Sequence, residues 1–249
     1  MNNVLTIAAH EFRRLLVSPF AWVVLASVQF ILALFFYLLL SRYLESGGLY
    51  AERGITAVVV IGMLQIAGLV MLILSPFLTM RSFSEEFRGG TIKLLFSSPV
   101  SISALVLGKF CGLVLFYLCL LFLIALMPLS LSLGTTLDFG VFCSALLALF
   151  LLFCSFIAIG LFVSSLSATP ALAAVGSFVV LISLWLIHIV NDTANANIEA
   201  VVNYLSLQKH FNAMLSGAFN SSDAIYYLLL TMFFLVLSIW RLDRLRTYQ

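Results

Sequence analysis

Residues Arg81 to Pro99 read RSFSEEFRGGTIKLLFSSP, a polar stretch set between two long apolar runs. It carries two adjacent acids, a double glycine and a closing Ser-Pro. Each charge costs about 3 kcal/mol or more at the centre of a bilayer, so this segment lies outside hydrocarbon. The chain therefore leaves an apolar environment here and re-enters it. Ser84 is placed to cap a helix whose first turn holds Glu85 and Glu86, where the helix dipole favours negative charge. Gly89-Gly90 then marks a break, Thr91 to Phe96 offers a second amphipathic turn, and Ser98-Pro99 closes the element. Such a helix, parallel to a membrane face, suits docking in a groove on a soluble partner. A solvated loop would use the same residues, and the residues alone leave both readings open.

The surrounding composition is that of a membrane protein. Of 249 residues, 63% are apolar and 9% charged, against about 25% charged in an average soluble chain. Apolar runs of spanning length cover about 20–40, 55–80, 105–128, 139–166, 171–190 and 224–240. None holds Lys, Arg, Asp or Glu away from its ends. Backbone groups in lipid must be satisfied within the protein, and a barrel would show alternation instead. The expected fold is an all-α integral membrane protein of six transmembrane helices, forming one domain over residues 1–249. The fourth run is long enough to tilt, or to hold a break near Gly160.

With six spans, one side holds Arg13, Arg14, Arg81, Arg88, Lys93, Lys109, Arg241, Arg244 and Arg246, nine of the twelve basic residues. The positive-inside rule places that side, and with it both termini, in the cytosol. Arg13 and Arg14 precede an apolar run too long for a signal core, so the first span reads as an uncleaved anchor. The basic residues are spread along this edge, where lipid headgroups account for them, and nothing points to nucleic acid.

Residues 3–17 are amphipathic. Val4, Leu5, Ala8, Phe12, Leu15 and Leu16 fall on one helical arc, and His10, Arg13 and Arg14 on the other. This is the pattern of a helix lying in the membrane interface, ended by Ser18-Pro19. Residues 41–54 read as an external hairpin. The segment 191–223, with Ile198, Val201, Val202, Leu205 and Leu207 on an apolar side, reads as one or two short helices packed on the outer ends of the spans. Gly108 and Gly112 form a GxxxG pattern, either a helix-contact face or a chance spacing in so apolar a chain.

Several chemistries are missing from the sequence. No ionisable residue sits at membrane depth to carry a coupling ion. His188 lies at the outer end of the fifth span. Ser164, Ser165 and Ser167 have no histidine nearby and no nucleophile elbow, and read as residues that solvate a tight turn. Cys111, Cys119, Cys143 and Cys154 lack metal-ligand spacing. The Walker A pattern fails, because Phe110 follows Gly108-Lys109 and Ser103 stands where the leading glycine belongs. No catalytic, cofactor or metal residues are expected in this chain.

The run SEEFRGGTIKLLFSSPVSISALVLGKF resembles the pattern E-E-x-x-x-G-T-(I/L)-x-x-L-L-x-(S/T)-x-P-(V/L), then L-x-G-K, of permease subunits of type-2 ATP-binding-cassette (ABC) exporters. Gly90-Thr91 and Gly108-Lys109 fall in place; Pro99 comes one residue earlier than the pattern sets it, Val106 stands at its leucine, and Lys93 departs from it, an acid being common there. HEFRRLLVSPFAWVVL at the start, and YLSLQKHFNAML onward to the final span, look like the gliding-motility-type (GldF-like) branch. The resemblance implies an elbow helix at 3–17, with Phe12, Arg13 and Arg14, and a coupling helix that meets the ATPase through Glu85, Glu86, Arg88, Gly90 and Thr91. It implies as partners a separate ABC ATPase carrying ATP and Mg, a second permease copy or paralogue, membrane lipid, and a further membrane subunit with a large external domain. The expected function is a permease that couples ATP hydrolysis on that subunit to export or to mechanical signalling across the bacterial inner membrane. Alternatives are a subunit that transmits ATPase motion without passing substrate, and an intramembrane enzyme.

Overall fold

The computed structural model describes residues 2–45, 54–92, 100–187, 204–217 and 220–247. All regular structure among them is helical: α1 (Asn2–Val17), α2 (Pro19–Glu45), α3 (Ile61–Thr79, entered through a π-helical turn at Thr56–Val60), α4 (Ser84–Arg88) and α5 (Ile102–Leu131). Then come α6 (Phe139–Leu166), α7 (Pro170–Leu186), α8 (Leu207–Leu215) and α9 (Ser221–Thr247). Five helical stretches are long and apolar enough to cross a membrane, those of α2, α3, α5, α6 and α9, and α7 is a shorter apolar helix of 17 residues. The expected runs agree with these helices, most closely at α6, while α2, α5 and α9 extend beyond the apolar runs by a turn or more. His188, Ile198, Val201 and Val202 lie outside the described residues, as do Arg53, Lys93 and most of the expected hairpin at 41–54.

Helix α6 is the axis of the bundle. It packs against α3, α5, α7, α8 and α9, and its surface is small enough to let them approach: Ala145, Ala148, Ser155, Ala158 and Gly160 are all buried. In lipid the packing of small residues, rather than hydrophobic segregation, brings helices together. No break occurs at Gly160, and α6 is continuous there. The glycine serves a close approach instead, since a Cβ on it would stand 2.2 Å from Thr79 Oγ1 of α3.

Ser18 separates α1 from α2, and Pro19 opens α2, where its fixed φ suits a first helical residue. The GxxxG pattern is a real contact face, and what it receives is α1. A Cβ on Gly108 would lie 2.7 Å from Ile7 Cβ, and one on Gly112 would lie 2.7 Å from Glu11 Cβ and 2.9 Å from the Ala8 carbonyl oxygen. The face of α1 that meets α5 is therefore centred on Ile7, Ala8 and Glu11 rather than on the whole apolar arc, and Leu5 is turned outward at 66% exposure. Because backbone carbonyl and Cβ both stand in the way, Gly112→Leu is expected to lift α1 from α5. It should lower stability by about 1–3 kcal/mol, read as a lower midpoint of thermal unfolding in detergent.

At the opposite end α8 closes the bundle. Ser206 caps it through Lys209 N. Leu207, Phe211, Met214 and Leu215 are buried, with Phe211 seated over Gly68 of α3 and beside Trp185 of α7. Ser144 of α6 donates to the Met214 carbonyl at 2.9 Å, and the hydroxyls of Tyr226 and Tyr227 on α9 donate to the Leu205 and Leu207 carbonyls. One short helix of the expected external segment is thus accounted for, while residues 188–203 lie outside the described residues.

Candidate functional site

Helix α3 ends at Thr79, and Met80 N and Ser82 N continue its hydrogen bonding to Pro76 and Thr79 carbonyls before the chain turns into α4. A helix of five residues has almost no internal bonding, so its donors need outside partners. The expectation that Ser84 caps α4 is corrected here. The N-cap is Phe83, without a side-chain cap, and Ser84 is buried inside the first turn with its hydroxyl donating to the Met80 carbonyl. The capping is done by Ser164 at the end of α6. Its Oγ accepts Phe83 N at 3.0 Å and Ser84 N at 3.1 Å, and it donates to the Met80 carbonyl at 3.1 Å.

Ser164 therefore does satisfy a tight turn, though one about eighty residues away in the chain, while Ser165 and Ser167 donate to the Phe162 and Val163 carbonyls of their own helix. Ser164→Ala leaves two buried N–H groups without an acceptor, at about 1–3 kcal/mol for each unsatisfied group. Faster amide hydrogen exchange at residues 83–88, with unchanged exchange in α6, is the expected result.

Gly89 N bonds to the Glu85 carbonyl at 2.9 Å, and Gly90 ends the element at φ +68°, the left-handed region that favours glycine. The double glycine is the break that the sequence suggests. Of the second turn expected at Thr91 to Phe96, Thr91 and Ile92 are described, Ile92 being buried in the core.

Two acids side by side in sequence point in different directions. Glu85 is exposed and pairs with Arg14 of α1. Glu86 turns inward to Lys109 of α5, 2.5 Å away, and Lys109 is only 3% exposed. The Lys109 ammonium also donates to the Ser82 carbonyl and lies 4.7 Å from the centre of the Phe83 ring. Desolvation by burial holds the Glu86 carboxyl above its ordinary pKa, with Lys109 opposing that shift. Removing one partner of such a buried pair costs about 3–5 kcal/mol. The Arg14–Glu85 pair is half in solvent and contributes about 1 kcal/mol at most.

Glu11, 6% exposed on the α5 face of α1, adds a third acid, 3.7 Å from Arg14. Arg88, Gly89, Gly90 and Thr91 lie on the open side of α4, Arg13 is exposed on α1, and Phe12 is half-buried against the core.

Of the expected contact residues, then, Glu85, Arg88, Gly90 and Thr91 share an open surface with Arg14, and Glu86 does not. Sequence reasoning missed Lys109, Glu11 and Ser164 as parts of this junction. Lys109 carried a signal, as the one charged residue of the run at 105–128, within the turn that opens it. Glu11 and Ser164 carried none that distinguishes them from neighbouring polar residues.

The junction holds charges and backbone donors but no nucleophile paired with a base. Among the described residues, no group of three or more His, Cys, Asp or Glu could hold a metal ion. The one histidine–carboxylate pair described, His210 Nδ1 to Asp223 Oδ1 at 2.6 Å, sits at the α8 end. There the ring stacks on Tyr226 and faces the Tyr204 carbonyl, which is a packing role.

The family model described as ABC-2 family transporter protein matches residues 5–245 of this chain. The chain belongs to the ABC-2 family. It is thus a multi-pass membrane subunit of an ABC transporter, a permease that works with ATPase subunits and is not itself the catalytic one. No curated protein matches it. In an ABC-2 subunit, the open surface of α4 and α1 gains a clear interest, because nucleotide chemistry must reach the spans from another chain.

Proposed function

We propose that this ABC-2 subunit is a six-span permease of the type-2 exporter kind, with α1 as its elbow helix and Glu85 to Thr91 as the coupling helix that meets the ATPase. The observation that carries this reading is the way α4 is held. It is a short helix tied to α1, α5 and α6 at once, with Glu85, Arg88 and Thr91 left open. A push on that surface is delivered to three long elements rather than lost in a loose loop. Because the Arg14–Glu85 pair is worth so little, Glu85 can exchange Arg14 for a basic group on a partner at small cost.

Six spans are supported by α7. Its 17 residues rise about 26 Å, and its contacts run from α4 at one end to Phe211 of α8, through Trp185, at the other. With six spans, the bias of nine basic residues against three supports cytosolic termini and a bacterial inner-membrane location. The partners are a separate ABC ATPase bearing ATP and Mg, and a second permease copy or paralogue. In the GldF-like reading, a membrane subunit with a large external domain joins them. ATP-driven closure of the ATPase dimer would then re-pack the two permeases and move cargo outward.

A second reading, transmission of ATPase motion to an external partner without passage of substrate, draws on α8. That helix ties the far ends of α3, α6, α7 and α9 together and could carry motion outward.

The deciding experiment is affinity purification of the chain from its native membrane, followed by ATP turnover of the reconstituted complex. Recovery of an ATPase bearing a Walker A motif, with turnover that depends on this chain, is expected. A chain that recovers no such ATPase removes the engine from both readings.

A further inference from the structure

We infer that Lys109 is a positioning residue, which fixes the orientation of α4 on α5 so that displacement of α4 is passed into α5 and α1 together. The inference rests on the reading of α4 as the ATPase contact. One turn of α5 carries the whole arrangement. Gly108 and Gly112 receive Ile7, Ala8 and Glu11 of α1 at near-backbone distance. Between them Lys109 reaches α4, where its ammonium meets the Glu86 carboxylate, the Ser82 carbonyl and the face of Phe83. Three different groups on the α3–α4 turn thus converge on a single buried cation. A lysine at 3% exposure has no water to satisfy its charge, so it stays only while those acceptors stay.

The geometry explains the opposed directions of Glu85 and Glu86. Lys109 draws Glu86 inward, and on so short a helix the neighbouring Glu85 is thereby presented outward with Arg88. Without Lys109, α4 would keep Ser164 at its start and the weak Arg14 pair at its surface. Its rotation about its own axis would no longer be set from α5. Mechanical coupling between sites needs packed or hydrogen-bonded elements in contact, and substitutions along such a route alter coupling without touching either ligand.

The test uses the whole permease–ATPase complex in reconstituted membranes, with two readouts. The first is amide hydrogen exchange of residues 83–92. The second is maximal ATP turnover per assembled complex at saturating ATPase, measured beside the ATPase concentration that gives half-maximal stimulation. Lys109→Met is expected to speed exchange in α4 and to lower maximal turnover by about twofold to thirtyfold, with a smaller change in the half-maximal concentration.

Because Lys109→Met strands the Glu86 charge and can reduce folding, Lys109→Met/Glu86→Met is made beside it. It restores a matched apolar pair and is expected to fold well yet remain poorly coupled. Glu86→Gln, which keeps the Lys109 bond to Ser82, should lose less turnover than Lys109→Met. A purely structural role would lower the yield of complex and leave turnover per complex unchanged.

Exchange in α4 equal to that of the unaltered protein in both Lys109 variants would overturn the anchoring. Faster exchange with turnover unchanged would overturn its part in transmission. If the unaltered chain neither binds nor responds to an ATPase, the function proposed above fails. In that case the exchange readout still decides whether Lys109 holds α4.

Discussion

Gly90→Pro is expected to leave the protein inserted in the membrane and to abolish coupled ATP turnover. Gly90 has φ +68°, whereas proline is held near −65°, so the turn after α4 cannot keep its shape. The substitution also deletes the N–H that bonds to the Phe87 carbonyl at 3.3 Å, and it disfavours the helical conformation of Gly89 that ends α4. Space is not the issue, because nothing lies within 4 Å of the position a Cβ would take.

The consequence is a redirected chain at Thr91 and Ile92, one exposed beside α4 and the other buried in the core. None of the spanning helices contains the changed residue, so insertion persists. Gly90→Ala separates conformation from chemistry. An alanine can hold the left-handed region at about 1–2 kcal/mol, and it should lower turnover only in part.

Glu85→Lys gives the same loss by another route, since it sets an ammonium beside the Arg14 guanidinium and replaces the acid of the open face with a further cation. The readout is ATP turnover by the reconstituted complex. Turnover equal to that of the unaltered protein in both Gly90→Pro and Glu85→Lys would count heavily against α4 as the coupling element.

A large loss of stability is expected at Gly160, six residues before the end of α6, the most buried of the long helices. A Cβ there would stand 2.2 Å from Thr79 Oγ1 and 2.6 Å from Thr79 Cβ, distances at which one of the two helices has to move. Thr79 has little freedom to yield, because its hydroxyl is bonded back to the Ser75 carbonyl at 3.0 Å and it is fully buried. Gly160→Val adds two further carbons at that point. A cost at or above the usual range for overpacking, about 1–3 kcal/mol, is expected, because the end of α3 and the facing turn of α6 must move apart.

Thermal unfolding in detergent measures it, with Gly134→Ala as the control. Gly134 lies in the link after α5 with open space around its Cβ position, so its midpoint should stay close to that of the unaltered protein. Equal midpoints for Gly160→Val and Gly134→Ala would show that the α3–α6 contact is not tight. The loss is steric, so it should be the same at low and high salt, unlike that at Glu85.

What the sequence determined by itself was whatever depends on runs and local signals. Lipid imposes helices on long apolar segments, and that constraint acts on each segment alone, so the positions of α2, α3, α5, α6 and α9 were legible to within about two turns at their ends. The amphipathic α1, the polar turn at 81–92 and the glycine stop at Gly89-Gly90 were legible for the same reason, as was the resemblance to ABC permeases that the family match bears out.

The tertiary structure alone decided which polar residue serves which. Ser164 rather than Ser84 caps α4, and Glu86 is drawn in by Lys109 while Glu85 faces out. Gly108 and Gly112 receive α1 rather than a second span, and Gly160 marks an approach of α3 instead of a break. Each of these depends on partners 70 or more residues apart or on the relative rotation of two helices. Hydrophobic runs carry no record of that rotation, since in a chain this apolar every face of a span is greasy. Only packing distances separate the face that meets a neighbour from the face that meets lipid.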